Sequence, residues 1–282
     1  MSLNSAIVIA SEFAMALYPI LVKLVPTDLN TQVFARVATY STLAYLFAES
    51  KDVESTWLTG AGSATSMSLG LLTLFHIASS YVAFKELPAG TAMSLFYTYP
   101  VWNLVIAAFL HGEVVSVAHG LLVLTAFVGV YLITQSTADP EQKSYDWLGV
   151  LAALGAALSE SAIYFSIKHG KHTSVFKNLL ELYPGALILL AGYLLVRGET
   201  IDMRTEVWTP LLLFNIFVGF IGFCLWSYSI TRVSTLTFSL LSFFGVIASF
   251  TWGWLFVGEV PKAQALVGAA MIVGSTGLSY WI

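Results

Sequence analysis

Apolar residues fall in ten runs, at about 5–25, 31–49, 59–84, 88–110, 116–135, 147–168, 174–196, 208–230, 234–257 and 263–282. Each is bounded by charged, proline-containing or glycine-containing breaks. A helix needs ~20 apolar residues to cross a hydrocarbon core, and every run is close to that length. The breaks leave little chain for anything else. The pattern therefore predicts an all-α integral membrane protein of ten transmembrane helices.

The longest polar break, STADPEQKSYD at 136–146, follows the fifth run and divides the chain into halves of five. An odd number of spans per half makes the second half enter the bilayer from the opposite side, so the halves form two inverted-topology five-helix repeats. Two sequence echoes support a duplication. SEFAMALYPILVK at 11–23 and SESAIYFSIKHGK at 159–171 place Glu12 and Glu160 148 residues apart. FYTYPVWNLVIAAFLHGEV and SFFGVIASFTWGWLFVGEV end at Val114 and Val260, 146 residues apart, with Gly112-Glu113 and Gly258-Glu259 as matching turns. The predicted organisation is one repeat over 1–136, a connector over 137–145 and a second repeat over 146–282.

Composition strengthens the membrane reading. Hydrophobic residues make up 57% of the chain and charged ones 10%, with a mean hydropathy of +0.81, against about 25% charged in soluble chains. A net charge of −4 thinly spread over short connectors forms no basic surface for nucleic acid. Cys224 is the single cysteine, so neither an intrachain disulfide nor a cysteine metal cluster is expected. The N-terminal stretch lacks a basic region and a small-residue cleavage pattern, and reads as a retained span. With the N-terminus inside, five Lys/Arg fall on inner connectors and six on outer ones, so charge bias does not set the orientation.

The stretches PVWNLVIAAFLHGE at 100–113 and IASFTWGWLFVGEVPKAQALVGAAMIVGSTGL at 247–278, with Arg36 near the start of the second run, resemble the drug/metabolite transporter superfamily in its ten-helix branch of two EamA-type repeats. The resemblance covers nearly the whole chain. It implies secondary transport of a small molecule by alternating access through a central cavity, and leaves the cargo open. Val246 stands where the first repeat has Pro100, so the second repeat is expected to lack a kink there. Pro19, Pro100 and Pro184 are expected to kink their spans.

Candidate chemistry follows from helical spacing. Thr73, His76 and Ser80 form one stripe of the third helix, and Asn215, Gly219, Gly222 and Trp226 one stripe of the eighth. The 146-residue offset maps the two stripes onto each other, which turns both toward the interior. The alternative for the small residues is close helix packing, and for His76 a structural hydrogen bond. A carboxylate in hydrocarbon costs about 2.5–3.5 kcal/mol on insertion scales, so Glu12 and Glu160 must face protein or water. There they shuttle protons, neutralise a cationic cargo, or pair with Arg36 or His76 to fix packing. Tyr97, Trp226, Tyr228 and Phe243 are candidate ring faces for a cation, and Asn103, Asn215 and Ser242 candidate orienting groups.

These residues point to a secondary transporter of a small polar metabolite: an organic cation, an amine or an amino acid. Its partners would be the lipid bilayer and a coupling proton, with no cofactor or metal. Competing readings are a nucleotide-sugar or sugar-phosphate exchanger anchored by Arg36 and Lys85, an intramembrane enzyme using His76 with Glu160, and a membrane scaffold. The chain carries no GxSxG, HExxH, P-loop or strand-turn GxGxxG motif. His169 and His172 lie in the basic segment KHGKH, where a solvated or headgroup role is the simplest reading.

Overall fold

The computed structural model describes residues 2–58, 60–87, 89–137, 147–170, 174–257, 262–279 and 281. Residues 138–146, which take in all but the first residue of the predicted connector, lie outside the described residues, as do Gly258, Glu259, Lys171 and His172.

Among the described residues, ten helical rods follow the ten apolar runs. They are α1 (Leu3–Leu24), α2 (Leu29–Phe47), α3 (Gly60–Glu86), α4 (89–111), α5 (Val117–Thr137), α6 (Trp147–Lys168), α7 (Val175–Arg197), α8 (Thr205–Ile230), α9 (Thr235–Phe256) and α10 (Ala263–Leu278). Among the described residues, α1, α3 and α6 to α9 have the length and hydropathy to cross a membrane unaided. The rod α2 carries Asn30, Gln32 and Arg36 among its 19 residues and lowers its hydropathy accordingly. Starts are set by side-chain caps: Ser2, Asp28, Ser174 and Ser234 each accept from the amide three residues on.

Three rods are interrupted. The first, α1, breaks at Ala16–Leu17 ahead of Pro19, and α4 breaks at Tyr97–Thr98 ahead of Pro100. Contrary to the expectation from Val246, α9 breaks too, at Phe243, 146 residues after Tyr97. The α9 break is a tightened turn in which the Val246 amide donates to the Phe243 carbonyl at 3.1 Å. Pro184, by contrast, is carried inside the continuous helix α7. Residues 50–58, expected to be connector, form a helical turn, Ser50–Val53, that runs into a π-helical one, Glu54–Leu58. Gly112 takes the left-handed conformation with φ 65°, and the next amide, of Glu113, reaches back to the Ala107 carbonyl at 3.0 Å. That is the glycine stop the sequence predicts.

The main packing contacts persist when the halves are exchanged. The contact of α1 with α8 has its mate in α6 with α3, and α1 with α9 in α6 with α4. Contacts of α2 with α7 and α5 with α10 are their own mates. At the α5–α10 crossing, a Cβ on Gly129 would strike the Gly268 carbonyl and one on Gly268 the Gly129 carbonyl, so two glycines let the backbones touch reciprocally. The halves are thus related by an approximate two-fold axis. With five spans in each half, that axis runs in the membrane plane.

Each end of the bundle carries its own contacts between rods. At the end where α4 and α6 finish, the rings of His111, Phe165 and His169 stack, with the two imidazole centroids 3.9 Å apart. Beside them Lys168 donates to the Ile230 carbonyl at 3.0 Å, and Thr235 donates to Glu113 at 2.9 Å. At the other end Thr27 donates to Asp202 at 3.1 Å, Asn30 donates to Glu199, and Arg204 pairs with Asp202.

Candidate functional site

A central cavity lies where α1, α3, α4 and α6 meet beside the α4 break, and about 50 Å³ of it is open to water-sized groups. Its charged and polar wall is Glu12, Tyr18, Arg36, His76, Ser80, Tyr97, Tyr99 and Glu160. The apolar wall is Met15, Pro19, Phe84, Met93, Phe96 and Trp226. Of these only Glu160 and Trp226 come from the second repeat. A volume this size holds a few waters, so a metabolite enters only if the walls move apart.

Glu12 is 3% exposed. Tyr97 donates to its Oε2 at 3.1 Å and Tyr99 to its Oε1 at 2.9 Å. Two hydroxyl donors, one on each oxygen, suit an ionised carboxylate. The arrangement depends on Gly245 in α9, because a Cβ there would lie 2.5 Å from Tyr97 Cζ and 2.7 Å from Glu12 Oε2.

His76 and Glu160 form a pair with Nε2 3.2 Å from Oε2. The other ring nitrogen, Nδ1, is 3.1 Å from the Ala156 carbonyl and 3.3 Å from Ser159 Oγ. A carbonyl only accepts, so Nδ1 carries hydrogen, and a neutral ring then has a bare Nε2. Contact between that nitrogen and a carboxyl oxygen therefore requires one further proton, on the ring or on Glu160. Either way the pair is neutral as a unit.

Arg36 is 3% exposed and held by aromatic rings. Its guanidinium carbon is 4.2 Å from the Tyr18 ring centroid, 5.5 Å from that of Tyr40 and 6.0 Å from that of Tyr81, with Tyr183 also beside it. Tyr40 and Tyr18 share a hydrogen bond of 2.6 Å, and Tyr18 donates to Asn215 Oδ1 at 3.1 Å. Gly219 makes room for both hydroxyls, since a Cβ there would overlap each. It belongs to a π-helical stretch of α8, Asn215–Phe220, a distortion that favours functional sites. Among the described residues no carboxylate comes within ion-pair distance of Arg36, so the alternative in which it pairs with Glu12 or Glu160 is not formed, although all three line the same cavity.

Glu12, Glu160, His76, Tyr97, Trp226 and Arg36 thus share one chamber. Four other expected residues are buried behind it. Ser242 lies against the Glu12 carboxyl but donates to the Phe238 carbonyl at 2.9 Å. Phe243 forms the α9 break, Asn215 reaches the cavity only through Tyr18, and Asn103 is fully buried. Tyr228 is a correction: it is 36% exposed, and Arg232 stacks on its ring at 3.6 Å, so its place at the end of α8 turns it to the outside. Lys85 is exposed in the last turn of α3, which leaves Arg36 without the second cation an anion exchanger was expected to use. The tyrosine ring around Arg36 was not anticipated. Its one sequence signal is Tyr40, one helical turn after Arg36.

The profile of the EamA-like transporter family matches residues 4–135 and again 147–281. The chain belongs to the EamA-like transporter family. A pseudopaline exporter of Pseudomonas aeruginosa is 24% identical over 242 residues, covering 86% of this chain and 82% of that one. A probable terminal-alkyne amino-acid exporter of Streptantibioticus cattleyicolor is 26% identical over 194 residues, 66% of this chain and 62% of its own. A solved crystal structure superposes with a TM-score of 0.76 at 17% identity, over 99% of this chain and 97% of the other, and so shares its fold. This EamA-like protein is accordingly a multi-pass membrane transporter of the drug/metabolite transporter superfamily.

Proposed function

We propose that this transporter exchanges protons for a small metabolite bearing a protonated amine, by alternating access through the central cavity. The observation that carries the reading is the His76–Glu160 contact, whose geometry requires a proton that neither residue owns alone. With that proton in place the chamber is balanced, Arg36 against Glu12. Without it the chamber holds one excess negative charge, which burial makes costly. An ammonium group entering from one side restores the balance that the departing proton removed. The aromatic wall of Phe84, Phe96 and Trp226 suits the apolar body of such a cargo and offers ring faces to its charge. A probable terminal-alkyne amino-acid exporter among the relatives supports cargo of this kind, since an amino acid carries such an amine.

Opening at one end and then the other would expose the chamber to each side in turn, with the two repeats, about 1–136 and 146–282, rocking about their contact. Purified protein in liposomes tests this. An imposed proton gradient should drive accumulation of amines or amino acids, and Glu160→Gln should lower the driven flux by about tenfold or more. Flux indifferent to both the gradient and that substitution would refute the proton-for-amine mechanism.

A further inference from the structure

The charged groups of the chamber are two carboxylates and one guanidinium, and the guanidinium lacks an acid in contact. Arg36 is nine-tenths buried, borders the cavity, and its Nε has no hydrogen-bond partner. The tyrosines around it give ring faces and neutral hydroxyls, which orient a guanidinium without neutralising it. Its planar fork is shaped for two parallel bonds to a carboxylate. Glu12 and Glu160 lie on helices that meet the same cavity, and each carboxylate has more acceptor positions than the donors it now meets.

From this pattern we infer that the cargo is an α-amino acid whose side chain ends in a second amine, its carboxylate on Arg36 and its two ammonium groups on Glu12 and Glu160. The inference rests on the proton-for-amine reading and narrows it. Charge arithmetic favours this class over its simpler neighbours. When the proton leaves His76–Glu160 the site is one charge negative, and such an amino acid, net +1, restores neutrality. A plain amino acid leaves the deficit in place. A plain amine repairs it but leaves the Arg36 fork unfilled, and a diamine overshoots by one charge.

Matched ligands separate these cases. Binding to the full-length protein in detergent is measured by calorimetry for L-lysine, L-ornithine, cadaverine, L-norleucine and n-pentylamine, and liposome exchange of each for protons is measured in parallel. L-lysine or L-ornithine should bind at least tenfold tighter than the other three. Arg36→Lys, which keeps the charge but loses the fork, should narrow the preference for L-lysine over cadaverine, and Arg36→Gln, which loses both, should abolish it. Arg36→Gln is the stricter variant, and the ligand series on the unaltered protein decides the matter if that variant does not fold. Equal or tighter binding of n-pentylamine, cadaverine or L-norleucine overturns this inference and leaves the broader amine exchange standing. Folded protein that neither binds nor exchanges any of the five overturns both.

Discussion

A single methyl group separates a working Glu12 from a displaced one. An alanine at Gly245 would put its Cβ inside the Tyr97 hydroxyl and 2.7 Å from the Glu12 carboxyl, so Tyr97 would have to leave its acceptor. Overpacking of this kind costs about 1–3 kcal/mol. Gly245→Ala should therefore lower the melting temperature in detergent and depress transport, whereas alanine at Gly274, which meets open space, should do neither. At this scale the sequence was legible where chemistry is conspicuous. Glu12, Glu160 and His76 stand out as ionisable groups in apolar runs, and each faces the chamber. Tyr18, Tyr81 and Tyr183 were not legible, because tyrosine is ordinary in a membrane helix and their convergence on Arg36 comes from three different rods.

At the scale of elements, the periodicity located all ten rods, and proline located two of their three interruptions but not the one in α9. Proline predicts a break only where the surroundings let the chain take it. It does so at Pro19 and Pro100, while Pro184 is absorbed by α7. The paired ends of α4 and α6 bring a pH effect with them. Burial, then the facing His111, push the His169 imidazole below its ordinary 6.5, with Lys168 adding to the shift and Glu113 opposing it. The unfolded chain therefore binds this proton more readily, and stability is full above 6.5 and declines as pH falls below it. Melting curves between pH ~7.5 and ~5.5 should show the decline, and His169→Phe, which keeps a ring in the stack, should flatten part of it. An unchanged slope in that variant would assign the effect elsewhere.

The whole molecule obeys its two-fold relation in packing and departs from it in chemistry. Contacts exchange between the halves, yet nearly all of the chamber wall belongs to the first. The 146-residue offset therefore located the chamber but overstated the share of α9, whose Ser242 and Phe243 stay behind the wall. The break in α4 lies just ahead of Pro100, which has no amide to return to a helical ladder, so straightening there would leave a carbonyl unpaired. The break in α9 contains no proline, and every residue around Phe243 keeps its amide. Straightening therefore costs less in α9 than in α4. Val246→Pro would put the same obstacle to straightening in the second half, at the cost of the single bond from Val246 to Phe243. It should leave a folded protein in which proton-driven exchange is slowed while equilibrium binding persists. The pump would then resemble a vice, one jaw cast in place and holding the workpiece, the other sliding to release it.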